Sequence, residues 1–415
     1  MAAPKSILII SYIFPPFPSV GGRRWLKFAK YLGRKGIDVH VLHAESPLEQ
    51  DSPWSDELAT LQNVTLHTIP AAYPKILFTT PTRLDQRLRY RMISLFLSFV
   101  HRGQYFDWAL RWKKPMLRSA IKTIRQYAID TVICTGPPFH ALHHALALKE
   151  RFPTIKLVSD FRDPWVERLR AHHVQETRVL HEKDLEREVL EKSDVVLTVS
   201  DTMTERLAEK CEPRHGFKIH TLFSGFDPED IPPPSPRSVS AGIRLIYTGE
   251  LYAGIRHLVD PFVGALTRLK ENDPEVFQKL QVDFYGTGTE TYDLPNIRLH
   301  AAVSRAELRE PLSKATAAIV FIPDHVNFAF TSKFIENIGC ELPMLLVSRY
   351  GRAAEFIQKN QLGYWINPDH AFETFHQALT NIVQEPRRST TAFDKDMFAL
   401  PHLTESLLNL ISTKV

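Results

Sequence analysis

Ser6–Arg24 reads Ser-Ile-Leu-Ile-Ile-Ser-Tyr-Ile-Phe-Pro-Pro-Phe-Pro-Ser-Val-Gly-Gly-Arg-Arg. The unbroken apolar run Ile7–Ile10 suits a strand buried on both faces, which implies a parallel sheet covered by helices. A proline-rich loop and Gly21-Gly22 follow. Trp25, Phe28, Ala29 and Leu32 then recur at helical spacing until Gly36 stops the pattern. Strand, loop and helix in this order are the opening of a βαβ unit. The alternation continues, with strands expected at Ser6–Ser11, Asp38–His43, Asp130–Thr135, Ile155–Asp160, Asp194–Ser200 and Lys218–Leu222. Helices are expected at Gly22–Gly36, Phe139–Arg151 and Thr177–Lys192.

The alternation breaks at Asp227-Pro-Glu-Asp-Ile-Pro-Pro-Pro-Ser-Pro-Arg-Ser238. Clustered prolines remove backbone donors and stop a helix, so this reads as a stiff linker. Beyond it strands are expected at Ile243–Thr248, Gln281–Tyr285, Ile297–His300, Ala317–Ile322 and Met344–Ser348. Helices are expected at Val259–Lys270, Arg305–Ala315, Ser332–Ile338 and Ala353–Lys359. The reading is α/β: two doubly wound, Rossmann-like domains, 1–236 and 237–395, with a final segment 396–415. Two such domains are expected to face a central cleft at the C-terminal ends of both sheets, where ligands of open α/β sheets bind.

Composition agrees. The 415 residues are 44% hydrophobic and 24% charged, which is globular and too long for one ordinary core. A formal net charge of +4 is too small for a dedicated nucleic-acid binder. Three unclustered cysteines exclude a disulfide framework and a cysteine-based zinc site, and suit a reducing cytosol. Ile7–Ile10 is too short for a signal peptide core, and Met92–Val100 too short to span a bilayer, so a soluble chain without an export signal is expected.

Two places carry chemistry. Gly21-Gly22 lets backbone approach an anion closely at a helix N-terminus, with Arg23 and Arg24 adding charge; taken alone it reads rather as a tight strand-to-helix turn. Phe330-Thr-Ser-Lys-Phe-Ile-Glu-Asn-Ile-Gly reads as a loop, then a helix capped by Ser332 and stopped at Gly339. Lys333 falls in its first turn, where the helix dipole disfavours a cation unless an anion shares the site. Glu336 lies on the same side. A phosphate beside Lys333 and ribose hydroxyls beside Glu336 make a nucleotide arrangement; the alternative is a surface ion pair worth about 0.3–0.5 kcal/mol. Asp160, Arg162 and Asp163 follow a strand, where they either orient an acceptor hydroxyl or brace the loop before Pro164-Trp165. His140, His143 and His144 read as one cleft-facing histidine and two on a helix surface, since no third metal ligand is evident. Asp394-Lys-Asp396 reads as solvated loop charge, and no metal site is expected.

In order, these landmarks resemble those of a GT-B-fold glycosyltransferase of the bacterial family-4-like branch over nearly the whole chain. Tyr12-Ile-Phe-Pro-Pro and Gly21-Gly22-Arg23 resemble its opening loop. Thr135-Gly-Pro-Pro, Asp160-Phe-Arg-Asp-Pro-Trp165, Val199-Ser200, Ser224-Gly-Phe-Asp227, Tyr247-Thr-Gly-Glu-Leu-Tyr with Arg256, Phe284-Tyr-Gly-Thr-Gly288 and Ser332–Glu336 with Leu342-Pro343 resemble its further motifs. The resemblance implies that Gly21 and Gly22 line the donor diphosphate, that Arg256 and Lys333 neutralise it, that Glu336 holds the ribose, and that Gly286 and Gly288 let the backbone pass the nucleotide. It implies catalytic roles for Asp163, Arg256 and Lys333, and puts His140, Asp160 and Arg162 on the acceptor side. It also places the last helix, Leu403–Ile411, back across the first domain. Three positions depart from the pattern. Phe328 stands where the paired-glutamate motif has its first Glu, Arg162-Asp163 stands where a His-Asp is usual, and Glu250 follows the glycine that a basic residue often follows.

Between Arg83 and Lys114, Arg83, Arg87, Arg89, Arg91, Arg102, Arg111, Lys113 and Lys114 face only Asp85 and Asp107, with Tyr90, Phe96, Phe99, Tyr105, Trp108 and Trp112 interleaved. Basic groups beside aromatics suit an anionic membrane surface; the alternative is an inserted helical pair with packed aromatics and solvated arginines. The expected function is transfer of a sugar, with retention, from a nucleoside-diphosphate sugar to a glycan or lipid-linked acceptor in cell-envelope polysaccharide synthesis. No cofactor, metal or nucleic acid is expected, and the location is cytoplasmic, peripheral on the inner face of the membrane. A nucleotide-sugar 2-epimerase and a non-catalytic nucleotide-sugar-binding or scaffold protein remain as alternatives.

Overall fold

The computed structural model describes residues 4–48, 52–100, 107–171, 174–212, 216, 218–232, 242–286, 292–326, 328–384 and 393–412. The chain forms two compact units, Met1–Phe223 with Leu403–Val415, and Ser224–His402.

The first unit carries a seven-stranded sheet in the order β3-β2-β1-β4-β5-β6-β7. Its strands are β1 Ser6–Ser11, β2 Asp38–Ala44, β3 Val64–Ile69, β4 Thr131–Gly136, β5 Lys156–Phe161, β6 Val195–Thr198 and β7 Ile219–Thr221. Every pairing is parallel, and Ile7–Ile10 is fully buried between β2 and β4. The edge strand β3 is half-buried or exposed throughout and carries no apolar run, so the hydrophobic pattern did not reveal it. Around the sheet lie α1 Arg23–Arg34, α2 Leu84–Val100, α3 Lys113–Tyr127, α4 His140–Arg151, α5 Trp165–Ala171, α6 Glu176–Lys192 and α7 Asp201–Glu209. The strand order reverses between β1 and β4, so the loops leaving these strands flank the switch point.

The second unit repeats the plan with a six-stranded parallel sheet, β10-β9-β8-β11-β12-β13. Its strands are β8 Ile243–Thr248, β9 Leu280–Tyr285, β10 Ile297–His300, β11 Ala317–Phe321, β12 Met344–Val347 and β13 Gly363–Ile366. Its helices are α8 Arg256–Asn272, α9 Pro274–Lys279, α10 Arg305–Lys314, α11 Ser332–Gly339, α12 Arg352–Lys359 and α13 Ala371–Gln384. Leu245, Val282, Phe284 and Leu345 from the sheet pack with Phe262 and Phe375 from α8 and α13 into one core. Here the switch lies between β8 and β11, and α11 follows β11. The unit begins ahead of the proline run: Phe226 pairs with Ala399 as an isolated parallel bridge. The last helix, α14 Leu400–Ser412, brings its C-terminal part to the first unit, where Lys35 pairs with Glu405 and Lys156 donates to the Ile411 carbonyl at 2.7 Å.

Two residues expected on the acceptor side are buried in the first unit's polar core. Asp160 has no exposed surface, and its carboxylate accepts from Trp25 Nε1 at 2.7 Å, Thr135 Oγ1 at 2.7 Å and Arg24 Nη2 at 3.2 Å. Arg24 also donates to the carbonyls of Leu222 and Phe223, so this ion pair ties α1, β4, β5 and the end of β7 together. His140, at the start of α4, faces no solvent either. Its Nδ1 lies 3.3 Å from Asp107 and its Nε2 3.3 Å from Glu182, in ion-pair rather than aligned hydrogen-bond geometry. The other two histidines separate from it: His143 pairs with Glu188 at 3.5 Å, and buried His144, pushed down to about 3 chiefly by burial, contacts the Ala109 carbonyl.

Burial opposes a charge on His140, but the Asp107 and Glu182 carboxylates outweigh it and raise its pKa to about 10. Because the folded value lies above the unfolded value of about 6.5, the stabilisation is complete below that pH and is lost as pH rises toward 10. Replacing His140 by Gln leaves two buried carboxylates without their cation, and is expected to cost about 3–5 kcal/mol at neutral pH. Urea unfolding checks this: the gap between wild type and His140→Gln should narrow steadily from pH 7 to 10, and a constant gap would show that His140 is not charged in the fold.

Candidate functional site

In the second unit the site forms at the C-terminal ends of β8 and β9. Gly249 leaves β8 with φ +148 and donates to the Tyr285 carbonyl at 2.8 Å; Gly286 leaves β9 with φ +86 and donates to the His300 carbonyl at 2.9 Å. Both angles are left-handed or beyond, where a side chain is strained. The two turns are also close, since a Cβ on Gly286 would sit 3.3 Å from the Gly249 carbonyl carbon.

Lys333 lies directly over Gly249, in the space a Cβ there would fill. Its ammonium stands 5.6 Å from the centroid of the buried Tyr247 ring, a cation–π contact. It occupies the second position of α11, whose cap is Thr331 rather than the expected Ser332; the Thr331 hydroxyl accepts from Phe334 N–H at 3.3 Å. Among the described residues no carboxylate comes within ion-pair distance of it. Burial lowers its pKa, and the more distant Glu336 and Glu250 only partly offset that. A half-buried cation at the positive end of a helix, laid against bare backbone, has the chemistry to accept an anion.

The other expected donor residues have partners of their own. Glu336, one turn into α11, pairs with Arg305 at 2.6 Å, and Arg305 also reaches Asp230. Arg256 opens α8, 3.5 Å from the Tyr292 hydroxyl and 3.8 Å from Asp260. Gly288 lies outside the described residues. Phe328 is buried and apolar. Asp394 caps its own turn, accepting from the Asp396 amide at 3.0 Å. Sequence reading missed Gly249 as the seat of Lys333, Tyr247 beneath it and Arg305 as the holder of Glu336. The Thr248-Gly249 step at the end of a buried strand was the available signal for the first.

In the first unit, the Arg162 guanidinium donates to the carbonyls of Gly21, Gly136 and Pro137, and so clamps the loops that leave β1 and β4. A Cβ at Gly21 would lie 2.8 Å from Arg162 Nη1, and one at Gly22 would lie 2.9 Å from Phe14 Cα. The amides of Gly21 and Gly22 bond to the Ser19 hydroxyl and carbonyl, each at 3.3 Å. These glycines are therefore required by the packing of the turn itself. Asp163, beside the clamp, pairs with Arg168 at 2.6 Å and keeps about a third of its side chain exposed (35%). Among the described residues no group of three or more metal-ligating side chains is assembled.

The chain's architecture is shared with sucrose-phosphate synthase from Thermosynechococcus elongatus, at 13% identity, 98% coverage of both chains and a TM-score of 0.62. WaaG, a glycosyltransferase involved in lipopolysaccharide biosynthesis, aligns at 15% identity over 98% of this chain and 100% of its own, with a TM-score of 0.58. An E. coli protein described as trehalose-6-phosphate bound with UDP-2-fluoro glucose aligns at 11% identity over 99% of both chains, with a TM-score of 0.63. At these identities the likeness establishes the GT-B fold. No curated protein matches the sequence. The sequence model of Glycosyltransferase Family 4, however, matches residues 21–230, just over half of the 415. With its two doubly wound units, this chain belongs to glycosyltransferase family 4.

Proposed function

We propose that this glycosyltransferase moves a sugar, with retention and without a metal, from a nucleoside-diphosphate sugar to a hydroxyl of a glycan or lipid-linked acceptor. The proposed setting is cell-envelope polysaccharide synthesis on the cytoplasmic face of a membrane. The observation that carries this reading is the Lys333 ammonium, half-buried over Gly249 at a helix N-terminus with no ion-pair partner among the described residues. Sugar transfer from such a donor builds negative charge on the departing β-phosphate. A preorganised cation with little water around it stabilises that charge more than it stabilises the ground state. Arg256 supplies a second cation, and together the two serve where other enzymes use a divalent ion. Glu336, oriented by Arg305, accepts from the ribose hydroxyls. Gly286 keeps the backbone low beneath the nucleotide. On the first unit Asp163 orients or deprotonates the acceptor hydroxyl, and Arg162 acts through the loops it clamps. Two structural neighbours support the donor and product classes: one is described with a UDP-sugar analogue bound, the other in lipopolysaccharide biosynthesis.

Lys333→Ala is expected to lower kcat for transfer or donor hydrolysis on the order of a hundredfold or more, as loss of a charge-stabilising donor does elsewhere. Gly249→Ala should do the same by displacing the lysine, with the fold retained by circular dichroism. Steady-state turnover of a nucleotide-sugar panel measures both, and unchanged kcat in Lys333→Ala ends the leaving-group assignment. For Glu336, nucleoside diphosphates and their 2′-deoxy forms are compared by thermal shift. Wild type should favour the ribose form, whereas Glu336→Ala should bind the two alike; a preference that survives the substitution would place the ribose elsewhere.

A further inference from the structure

Helix α2 turns an apolar face outward. On one side Leu97 is buried and Tyr90 and Ile93 are half-buried, and the helix packs on the short turn Lys75–Phe78. On the other side Leu84, Leu88, Met92, Phe96 and Val100 form one i, i+4 row, with exposures from 50% at Val100 to 83% at Leu84. A helix on a globular surface normally shows water its charged face. Arg87 and Arg89 stand about 100° to either side of Leu88, and Arg91 the same distance from Met92. All three are exposed. Asp85 is the one acidic residue of the helix, and it lies 3.8 Å from Arg83.

We propose that α2 is an interfacial helix that lies in the plane of an anionic bilayer surface. The apolar row enters the acyl boundary, and Arg87, Arg89 and Arg91 sit among the headgroup phosphates. The charge pattern favours this occupant: three exposed arginines and a single acidic residue border the apolar row, which matches anionic headgroups and would be unmatched on an uncharged surface. Among the described residues no helix is long and apolar enough to cross a membrane, so the contact is peripheral. The inference rests on the lipid-linked acceptor for its purpose, and it supplies the surface at which such an acceptor is met.

The test is sedimentation of the full chain with phosphatidylglycerol–phosphatidylcholine vesicles and with phosphatidylcholine alone. Binding should be about tenfold or more tighter to the anionic vesicles and should weaken with salt. Leu88→Gln with Phe96→Gln should reduce it about tenfold or more while circular dichroism and the thermal shift with nucleoside diphosphates stay unchanged. Replacing Arg87, Arg89 and Arg91 by Ser should remove the preference for anionic lipid. Absence of binding to anionic vesicles, or binding indifferent to both variants, overturns the proposal. So does a dimer in solution that the Leu88/Phe96 variant dissolves, since the row would then be covered by another copy. Failure of the transferase reading would appear as absent donor turnover with vesicle binding intact, so the two outcomes separate.

Discussion

The candidate site of the second unit depends on a lysine ammonium held against bare backbone. Lys333 reaches its position because Gly249 has no side chain, Tyr247 offers its ring face beneath, and Thr331 starts the helix one residue earlier. Burial and the helix dipole both work against the charge. An arrangement that disfavours its own cation suits the binding of an anion. The anion proposed for this place is the diphosphate of a sugar donor, and Gly249 and Gly286 keep side chains out of its way.

The first unit uses its charges differently. Asp160 and His140 are satisfied internally, one by three donors and the other between two carboxylates. They fix where α1, α4 and the loops after β1 and β4 lie. Arg162 continues the same network to the loop carbonyls, leaving Asp163 as the partly exposed carboxylate at that end of β5. The buried polar core thus serves position.

The strands that are buried on both faces were legible in the sequence because continuous aliphatic runs have few other uses: Ile7–Ile10 and the segments around Val196, Leu245 and Ile319 all fall in β-strands. Edge strands were not. β3 is half-buried or exposed throughout and alternates apolar with polar residues, and β13 is only four residues long, so neither makes an apolar run to read. Lys333 and Glu336 were legible as a helix-start pair, but their environments were not. Pairing of Glu336 with Arg305 and seating of Lys333 on Gly249 are tertiary facts between segments far apart in sequence. Asp160 and His140 illustrate the same gap in reverse. Polar residues just after strands and at helix starts look functional in a linear reading, and only burial shows that they hold the core.

The central claim is that Lys333 meets the donor diphosphate as a charge. It is tested most directly by calorimetry of nucleoside diphosphate binding in buffers of different ionisation enthalpy, at about pH 9, below the ordinary lysine value of about 10.4. The lysine is depressed in the free protein, and a bound diphosphate would raise it again. The account therefore predicts proton uptake on binding, affinity that falls as pH rises, and loss of both in Lys333→Ala. Binding with no linked proton at any pH from about 7 to 10, and equal in the alanine variant, would contradict it.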